Sequence, residues 1–418
     1  FFFAMPAIKD YTQFLSRRTL RRKPSAIRKL TPLSLIPGMI SLAGGLPNPA
    51  TFPFASMNVE LLDGTTLSLP AAELAKGLQY SPTPGLPPLL DFLKARQERV
   101  HKPVSGDWDM LVAGGSQDLL SKTFDMLLNE GDEVLIEEPT YSGALAAIAP
   151  LGCRLVGVPT DANGIIPEKL EQLLQAGTSA KVLYTIPTGQ NPSGCTTTAA
   201  RRQEVYALAA KHDLLIMEDD PYYYLYLDAG GPPPSYFSMD TDGRVIRMES
   251  FSKVLSSGIR IGFATGPSKL IGQLQLDLQA TAMHASGVSQ ALVLHLLQHW
   301  GDAGWDAHVQ RIQELYRGRR DTFLALCDAH LTGLAQWDAP SAGMFVWFKL
   351  SGIEDSSKLI TEKAMDQKVL LVPGESFLTD PDGISGHVRA AYSLATEEQM
   401  EEGVKRFAAL LKAELGQQ

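Results

Sequence analysis

The sequence predicts an α/β protein with a large domain on a mostly parallel, seven-stranded sheet and a smaller α+β domain. Short apolar runs alternate with longer amphipathic stretches from residue 109 onward. Near residue 300 the pattern changes to long helices with a few strands. In addition, 418 residues of 44% hydrophobic composition can fill more than one core.

Seven short apolar runs, each bounded by polar or Gly-containing segments, are the predicted strands of the large sheet. They are Met110–Ala113, Glu133–Ile136, Arg154–Val158, Val182–Ile186, Leu214–Met217, Arg244–Met248 and Ile261–Thr265. Helical patterns such as Ser116–Leu128 and Thr198–His212 lie between them. Because parallel strands need such crossover connections, we expect helices on both faces of the sheet.

Both chain ends are predicted to contribute to the smaller domain. The region before residue 50 is rich in Pro and Gly, and the strand-like runs Gly343–Lys349 and His387–Tyr392 follow the long helices. We therefore place an N-terminal arm and part of the small domain at 1–50, the large domain at 51–300 and the small C-terminal domain at 301–418.

Composition excludes several classes of function. The net charge is −9 and 20% of residues are charged, which does not favour nucleic acid as a partner. No run approaches the roughly 18 apolar residues of a membrane span. Cys153, Cys195 and Cys327 lie far apart without a CxxC pair, so neither a disulfide framework nor a metal site is predicted.

The N-terminal region carries a basic stretch with Ser and Thr and few acids. Its basic residues are Arg17, Arg18, Arg21, Arg22, Lys23, Arg28 and Lys29. Such a composition is typical of a mitochondrial presequence, or of a basic arm on the folded protein. We expect a mitochondrial matrix location, with the cytoplasm as the alternative.

A lysine follows the predicted strand that ends at Met248. Ligands of open α/β sheets bind beyond the carboxyl ends of the strands. There Lys253 can form an imine with an aldehyde. The hydroxyls of Ser250 and Ser252 and the guanidinium of Arg260 are suited to a phosphate. The alternative is an ordinary surface loop with a solvated lysine.

An acidic segment follows the next predicted strand upstream. Asp219 stands two residues beyond Met217 and is followed by Asp220 and Pro221. A carboxylate directed at a pyridine nitrogen keeps the ring protonated and improves it as an electron sink. An acidic strand end closed by a Pro turn is the alternative.

A loop rich in Pro, Gly and Asn follows the predicted strand Val182–Ile186. Within it, the amide of Asn191 can donate to a phenolate oxygen or to a substrate carboxylate. A turn without any chemical role is the alternative for this segment.

Two glycines, Gly114 and Gly115, open the predicted helix that carries Ser116 and Gln117. Free amides and the helix dipole at such an N-terminus favour phosphate, and glycine permits close backbone approach. The segment is neither GxGxxG nor a Walker loop, and a simple helix cap is the alternative.

Arg389 stands inside the strand-like run His387–Tyr392. A buried guanidinium needs a partner, and a substrate carboxylate bound through two hydrogen bonds would serve. An edge strand with a solvated arginine is the alternative.

The order and spacing of these motifs resemble those of the fold-type I aminotransferases that depend on pyridoxal 5′-phosphate. The matching segments are Tyr80–Gly85, Gly115–Gln117, Glu138–Tyr141, Gln190–Gly194, Asp219–Tyr222, Ser250–Lys253, Gly258–Arg260 and Arg389. The segments Ser41–Pro49, Ser238–Arg247 and Ala342–Phe345 are similar to the kynurenine/2-aminoadipate subgroup of this family. The resemblance covers about residues 24–410.

The resemblance implies a set of cofactor contacts. Lys253 would bind the cofactor as a Schiff base and move the substrate proton, Asp219 would pair with the ring nitrogen, and Tyr141 would stack on the ring. These three are the expected catalytic residues. The other expected cofactor contacts are Tyr222 and Asn191 at the ring oxygen, Ser116, Gln117, Ser250 and Arg260 at the phosphate, and Ser252 nearby.

The resemblance also implies the substrate contacts and a homodimer. Arg389 and Asn191 would bind the α-carboxylate, Gly45 would lie near the substrate, and Arg28 would help select its side chain. Tyr80 would reach the phosphate of the neighbouring subunit, so the active sites would be shared.

The expected reaction moves an amino group from kynurenine, 2-aminoadipate or related amino acids to 2-oxoglutarate by a ping-pong mechanism. An aromatic-amino-acid aminotransferase or a cysteine-conjugate β-lyase remains the alternative, because the cofactor performs the same first step in each. A ligand-sensing module is disfavoured, since no DNA-binding motif accompanies the enzyme-like segments.

Overall fold

The computed structural model describes residues 6–25, 33, 36–40, 42 and 45–416. Its strands, in chain order, are β1 (Met57–Glu60), β2 (Thr66–Leu69), β3 (Asp109–Ala113), β4 (Glu133–Glu138), β5 (Arg154–Asp161), β6 (Gly164–Ile165), β7 (Val182–Thr185), β8 (Leu215–Asp219), β9 (Val245–Ser250), β10 (Gly262–Gly266), β11 (Ala335–Gln336), β12 (Phe345–Leu350), β13 (Val372–Pro373) and β14 (His387–Ala391).

The α-helices account for most of the remaining regular structure. They are α1 (Ala71–Leu78), α2 (Pro87–Val100), α3 (Ser116–Leu127), α4 (Ser142–Ile148), α5 (Pro167–Gln175), α6 (Ala199–Lys211), α7 (Ser268–Thr281), α8 (Gly287–Leu331), α9 (Ala364–Asp366) and α10 (Glu397–Glu414). Strands β3, β4, β5, β7, β8, β9 and β10 coincide with the seven predicted runs to within a few residues, and α3 and α6 with the two predicted helices.

The chain divides into two compact units, one formed by Phe1–Glu130 with Phe237–Ala307 and the other by Gly131–Tyr236 with His308–Gln418. In the first unit β10 pairs antiparallel with both β3 and β9. Every residue of β9 and β10 is buried, and β9 buries the Arg247–Glu249 ion pair, 3.4 Å between Nε and the carboxylate oxygen, among its apolar residues. Helices α3 and α7 pack against these strands.

The second unit holds the parallel strands. Strand β4 pairs in parallel with β5 and β7, and β7 pairs in parallel with β8. The short β6 joins β5 antiparallel. All residues of β7 and β8 are buried, and each strand leads directly into one of the polar loops that the sequence singled out.

The second unit also contains an antiparallel sheet in the order β11-β12-β14-β13. Trp347 pairs with Arg389 across β12 and β14, so both side chains stand on the same face. Helix α10 begins at a capping box of Thr396 and Gln399 and buries Phe407 and Leu411. The predicted strands near 343–349 and 387–392 are thus present as β12 and β14.

The predicted long helices after residue 300 are represented by α8, which is interrupted at Gly301 (φ 56°, ψ −167°). The predicted boundaries between a large and a small domain, at residues 50 and 300, stay a prediction. Among the described residues, no helix combines the length and the apolar composition that crossing a bilayer requires.

Candidate active site

Several residues of the first unit that are predicted to bind a phosphate lie close together. The Arg260 guanidinium donates to the carbonyl oxygen of Gly114 at 3.0 Å and to the Ser252 hydroxyl at 3.2 Å. The backbone N–H of Ser252 donates to the Ser250 hydroxyl at 3.1 Å. We call this group, with Ser116, the phosphate cradle.

Helix α3 begins inside the phosphate cradle. Its N-cap is Gly115, at φ 105° and ψ 168°, so no side chain caps the helix. A Cβ at position 115 would lie 2.6 Å from a terminal nitrogen of Arg260. A side chain at position 115 would have to displace the guanidinium, and the positive φ itself favours glycine. The start of a helix, with its dipole, suits an anion. Ser116 and Gln117 are the first two residues of this helix and are partly buried.

Lys253 follows β9 by three residues and is partly buried. Tyr80 belongs to the same unit, is 50% exposed and meets His284 edge to face at 6.0 Å between ring centroids. Gly45 is exposed, with no atom near the position of a Cβ. Arg28 lies outside the described residues.

Arg389, which is predicted to bind the substrate carboxylate, lies in the second unit. We call Arg389 with its neighbours Asn191, Phe345 and Phe377 the arginine pocket. The Arg389 guanidinium donates to the side-chain oxygen of Asn191 at 2.7 Å. It lies 4.4 Å from the centroid of the Phe345 ring and 4.9 Å from that of Phe377. Its Nε is buried without a hydrogen-bond partner. A buried donor of this kind is costly unless a ligand completes it.

Asp219 ends β8 and is buried, and the Tyr184 hydroxyl donates to its carboxylate at 2.9 Å. Tyr184 was not among the predicted site residues. A tyrosine inside an apolar strand was the available signal, because a buried hydroxyl needs a partner. Phe345 and Phe377 were also missed as walls of the arginine pocket.

The two remaining aromatic residues of the prediction also lie in the second unit. Burial and the neighbouring Asp219 carboxylate raise the pKa of Tyr222 well above its usual range, so its hydroxyl stays protonated and can donate. Tyr141 precedes α4, and its ring lies against Gly143, where any side chain would collide with it.

The donors present fit pyridoxal 5′-phosphate. The phosphate cradle offers a guanidinium, hydroxyls and the start of a helix, and the Arg260 guanidinium lies close against Gly115, where a Cβ would collide with it. Asp219 offers a buried carboxylate, and Tyr222 a protonated phenol. These are the groups that a phosphate, a pyridine nitrogen and a ring oxygen require.

Known proteins share this sequence and fold. The kynurenine/α-aminoadipate aminotransferase of Mus musculus, named as mitochondrial, is 44% identical over 425 residues, which span 97% of this chain and 100% of the mouse protein. The structure of aminotransferase Aro8 from Candida albicans superposes with a TM-score of 0.90 at 31% identity, covering 99% of this chain and 100% of that one.

A third relative is the Pyrococcus horikoshii kynurenine aminotransferase, whose structure was solved with PMP, KYN and KYA. It gives a TM-score of 0.77 at 33% identity and covers 97% of this chain and 99% of its own. These neighbours confirm the predicted fold, a large mixed sheet with helices and a smaller antiparallel sheet. Residues 71–407 match the family described as aminotransferase class I and II, and the chain belongs to that family of enzymes.

Proposed function

We propose that this aminotransferase moves an amino group from L-kynurenine, L-2-aminoadipate or related amino acids to 2-oxoglutarate by a ping-pong mechanism. One observation carries the proposal: the Arg389 guanidinium lies over two aromatic rings, and its buried Nε has no hydrogen-bond partner. An α-amino acid and a 2-oxo acid share the α-carboxylate that such an arginine binds through two hydrogen bonds. Both half-reactions can therefore use the arginine pocket.

The cofactor is pyridoxal 5′-phosphate, which when bound supplies the aldehyde that receives the amino group and a ring that delocalises electrons. The protein's part is to hold and move protons. Lys253 Nζ would bond the cofactor and would carry the proton that leaves the substrate Cα. Asp219 keeps the ring nitrogen protonated, and the Tyr184 hydroxyl orients that carboxylate.

The phosphate cradle would hold the cofactor phosphate, Tyr222 would donate to the ring oxygen, and Tyr141 would stack on the ring. Burial lowers the pKa of Arg389 from its usual value. A guanidinium nevertheless remains charged at neutral pH, because its usual pKa lies above 12. Thus Arg389 keeps its charge for the substrate carboxylate.

The names of the mouse and archaeal relatives favour kynurenine and 2-aminoadipate as donors. Arg28 is proposed to select the substrate side chain. A homodimer in which Tyr80 reaches the partner's phosphate, and a location in the mitochondrial matrix, belong to the same proposal. The basic N-terminal region and the mitochondrial label of the mouse protein support that location.

The test is a panel of amino donors with 2-oxoglutarate as acceptor, followed by the absorbance of the cofactor. We expect turnover of kynurenine and 2-aminoadipate, and a Lys253→Ala variant with less than about a tenth of the wild-type rate, because its covalent and proton-transfer roles vanish together. Phenylalanine and a cysteine conjugate serve as the competing donors. Faster turnover of either competitor, or an active Lys253→Ala variant, contradicts the proposal.

A further inference from the structure

A fully buried carboxyl group lies beneath the loops that carry Tyr141 and Asn191. Glu137 is 0% exposed and accepts hydrogen bonds from the Thr185 hydroxyl at 2.5 Å and the Ile186 N–H at 3.0 Å. The third donor is the Gln190 side-chain amide at 3.2 Å. All three donors come from β7 or the loop that follows it, whereas Glu137 belongs to β4.

Gln190 makes further hydrogen bonds on both sides of this connection between β4 and the loop after β7. Its side-chain amide also donates to the carbonyl oxygen of Pro139 at 2.7 Å, and its side-chain oxygen accepts from the Ser193 N–H at 2.8 Å and hydroxyl at 2.7 Å. Gln190 is 0% exposed, and its bond to Glu137 is fully buried, whereas its bonds to Pro139 and Ser193 are partly buried. The loop after β7 is thus joined to Glu137 at the end of β4 and to Pro139 in the loop that follows β4.

Each joined loop carries a proposed site residue. Two residues beyond Pro139 stands Tyr141, and directly after Gln190 stands Asn191, which accepts from Arg389. In addition, the N–H of Thr140 donates to the carbonyl oxygen of Phe377, whose ring lies beside Arg389. Displacing either loop would therefore move groups on the arginine pocket.

Burying a carboxyl group costs desolvation free energy, so stability alone does not explain its place between two loops. Burial raises the pKa of Glu137 to about 7, against the three donors that favour the charged form. Replacing buried polar pairs by apolar side chains of similar volume is often neutral or stabilising. Directional hydrogen bonds instead fix the relative position of the two loops.

We propose that Glu137 and Gln190 are positioning residues that fasten the Tyr141 loop to the Asn191 loop and thereby hold Asn191 and Arg389 in place for the substrate carboxylate. The inference rests on the proposed function of the arginine pocket. Neither residue touches the substrate in this scheme; both act through Asn191.

The test replaces Gln190 by methionine, which keeps the chain length of the side chain but removes its donors and acceptor. We expect KM to rise about tenfold for every amino donor alike, the effect of losing one or two hydrogen bonds, since the shared α-carboxylate loses its ligand geometry. The dissociation constant of pyridoxal 5′-phosphate, measured by titrating the apoprotein, should rise as well. A Ser193→Ala variant, which removes a single bond to Gln190, should move both quantities in the same direction by less.

Two further variants separate positioning from stability. Glu137→Gln should keep KM near the wild-type value, because its amide oxygen can still accept and the Thr185 hydroxyl can rotate to accept from its amide nitrogen. Gln290→Met is the matched control in the other unit. Gln290 is also 0% exposed and bridges two segments, accepting from the Leu86 N–H at 2.8 Å and donating to the Ala285 carbonyl oxygen at 2.9 Å.

The control should lower the unfolding temperature without changing the donor KM. The inference is overturned if Gln190→Met behaves like Gln290→Met, with lower stability and unchanged KM and cofactor affinity. It is also overturned if KM rises for one class of donor only. A wild-type protein that turns over no amino donor would refute the proposed function instead, and the cofactor titration would still report on the two loops.

Discussion

At the scale of single residues, the proposed chemistry depends on buried polar groups whose partners are few and directional. Asp219 is held by the Tyr184 hydroxyl, and Arg389 by the Asn191 oxygen and two aromatic rings. In a low-dielectric interior such hydrogen bonds are strong, and a buried donor or acceptor without a partner costs free energy. Each group is therefore fixed before the ligand arrives.

Removing the Tyr184 hydroxyl should slow catalysis while leaving the substrate bound. Tyr184→Phe keeps the ring but takes one hydrogen bond from Asp219, a bond to a charged group of about 1.5–3 kcal/mol. We expect kcat to fall about ten- to a hundredfold with little change in KM, because the carboxylate proposed to hold the ring nitrogen is less well oriented. Steady-state kinetics with kynurenine would measure this.

The matched control is Tyr236→Phe in the same unit. Tyr236 is 0% exposed, and its hydroxyl has no hydrogen-bond partner. Deleting it should leave kcat unchanged. Equal losses of kcat in the two variants would mean that Tyr184 acts only through packing.

At the scale of secondary-structure elements, the proposed cofactor and substrate ligands lie at strand ends, at a helix start and within one strand. Strand β9 leads to Lys253, β8 ends at Asp219, and β14 carries Arg389. Helix α3 begins without a side-chain cap, because a glycine precedes it. The hydrogen bonds and burial of these regular elements fix the position of the side chains that they carry.

Gly115→Ala should weaken cofactor binding through α3. The positive φ strains the backbone by about 1 kcal/mol or more, and the added Cβ displaces the Arg260 guanidinium. We expect the dissociation constant of pyridoxal 5′-phosphate to rise at least about tenfold, as when one charged hydrogen bond to an anion is lost. Titrating the apoprotein with the cofactor would test this.

Gly131→Ala provides the comparison, because Gly131 has φ +82° but no atom near its Cβ position. It should lose stability to a similar extent and bind the cofactor normally. Weakened cofactor binding in both variants would show that backbone strain alone, and not the displaced arginine, is responsible.

At the scale of the whole molecule, folding free energy and pH are linked through the buried carboxyl of Glu137. Its pKa is about 7 in the folded protein, against 4.5 for an exposed glutamate, because burial disfavours the charge. Between these values the unfolded chain releases the proton and the folded chain keeps it. The contribution of this group to stability therefore falls as pH rises from about 4.5 to about 7, by roughly 3 kcal/mol in total.

Glu137→Gln should remove this pH dependence. Relative to the wild type, the variant should become more stable as pH rises from 5 to 7.5, by an amount on the order of 3 kcal/mol. Urea unfolding of both proteins at several pH values gives the difference, in which the other titrating groups cancel. A difference that stays constant with pH would mean that Glu137 is charged throughout this range.

Local sequence was enough to predict the strands, several helices and most candidate ligands. Buried strands such as β7 and β8 appear as continuous apolar runs, because both of their faces are covered. Lys253, Asp219, Asn191 and Arg389 could be selected because polar groups directly after or inside such runs are unusual. Their roles came from the resemblance to a family, and they remain predictions.

Tertiary structure alone decided which side chains complete one another. Tyr184 and Asp219 are 35 residues apart, and Arg389 and Asn191 are 198 apart, yet each pair is hydrogen-bonded. Gln190 joins two loops that the sequence separates by an entire crossover. A pattern read along the chain reports the period of burial, whereas pairing across neighbouring strands depends on register and sheet order, which are properties of the folded chain.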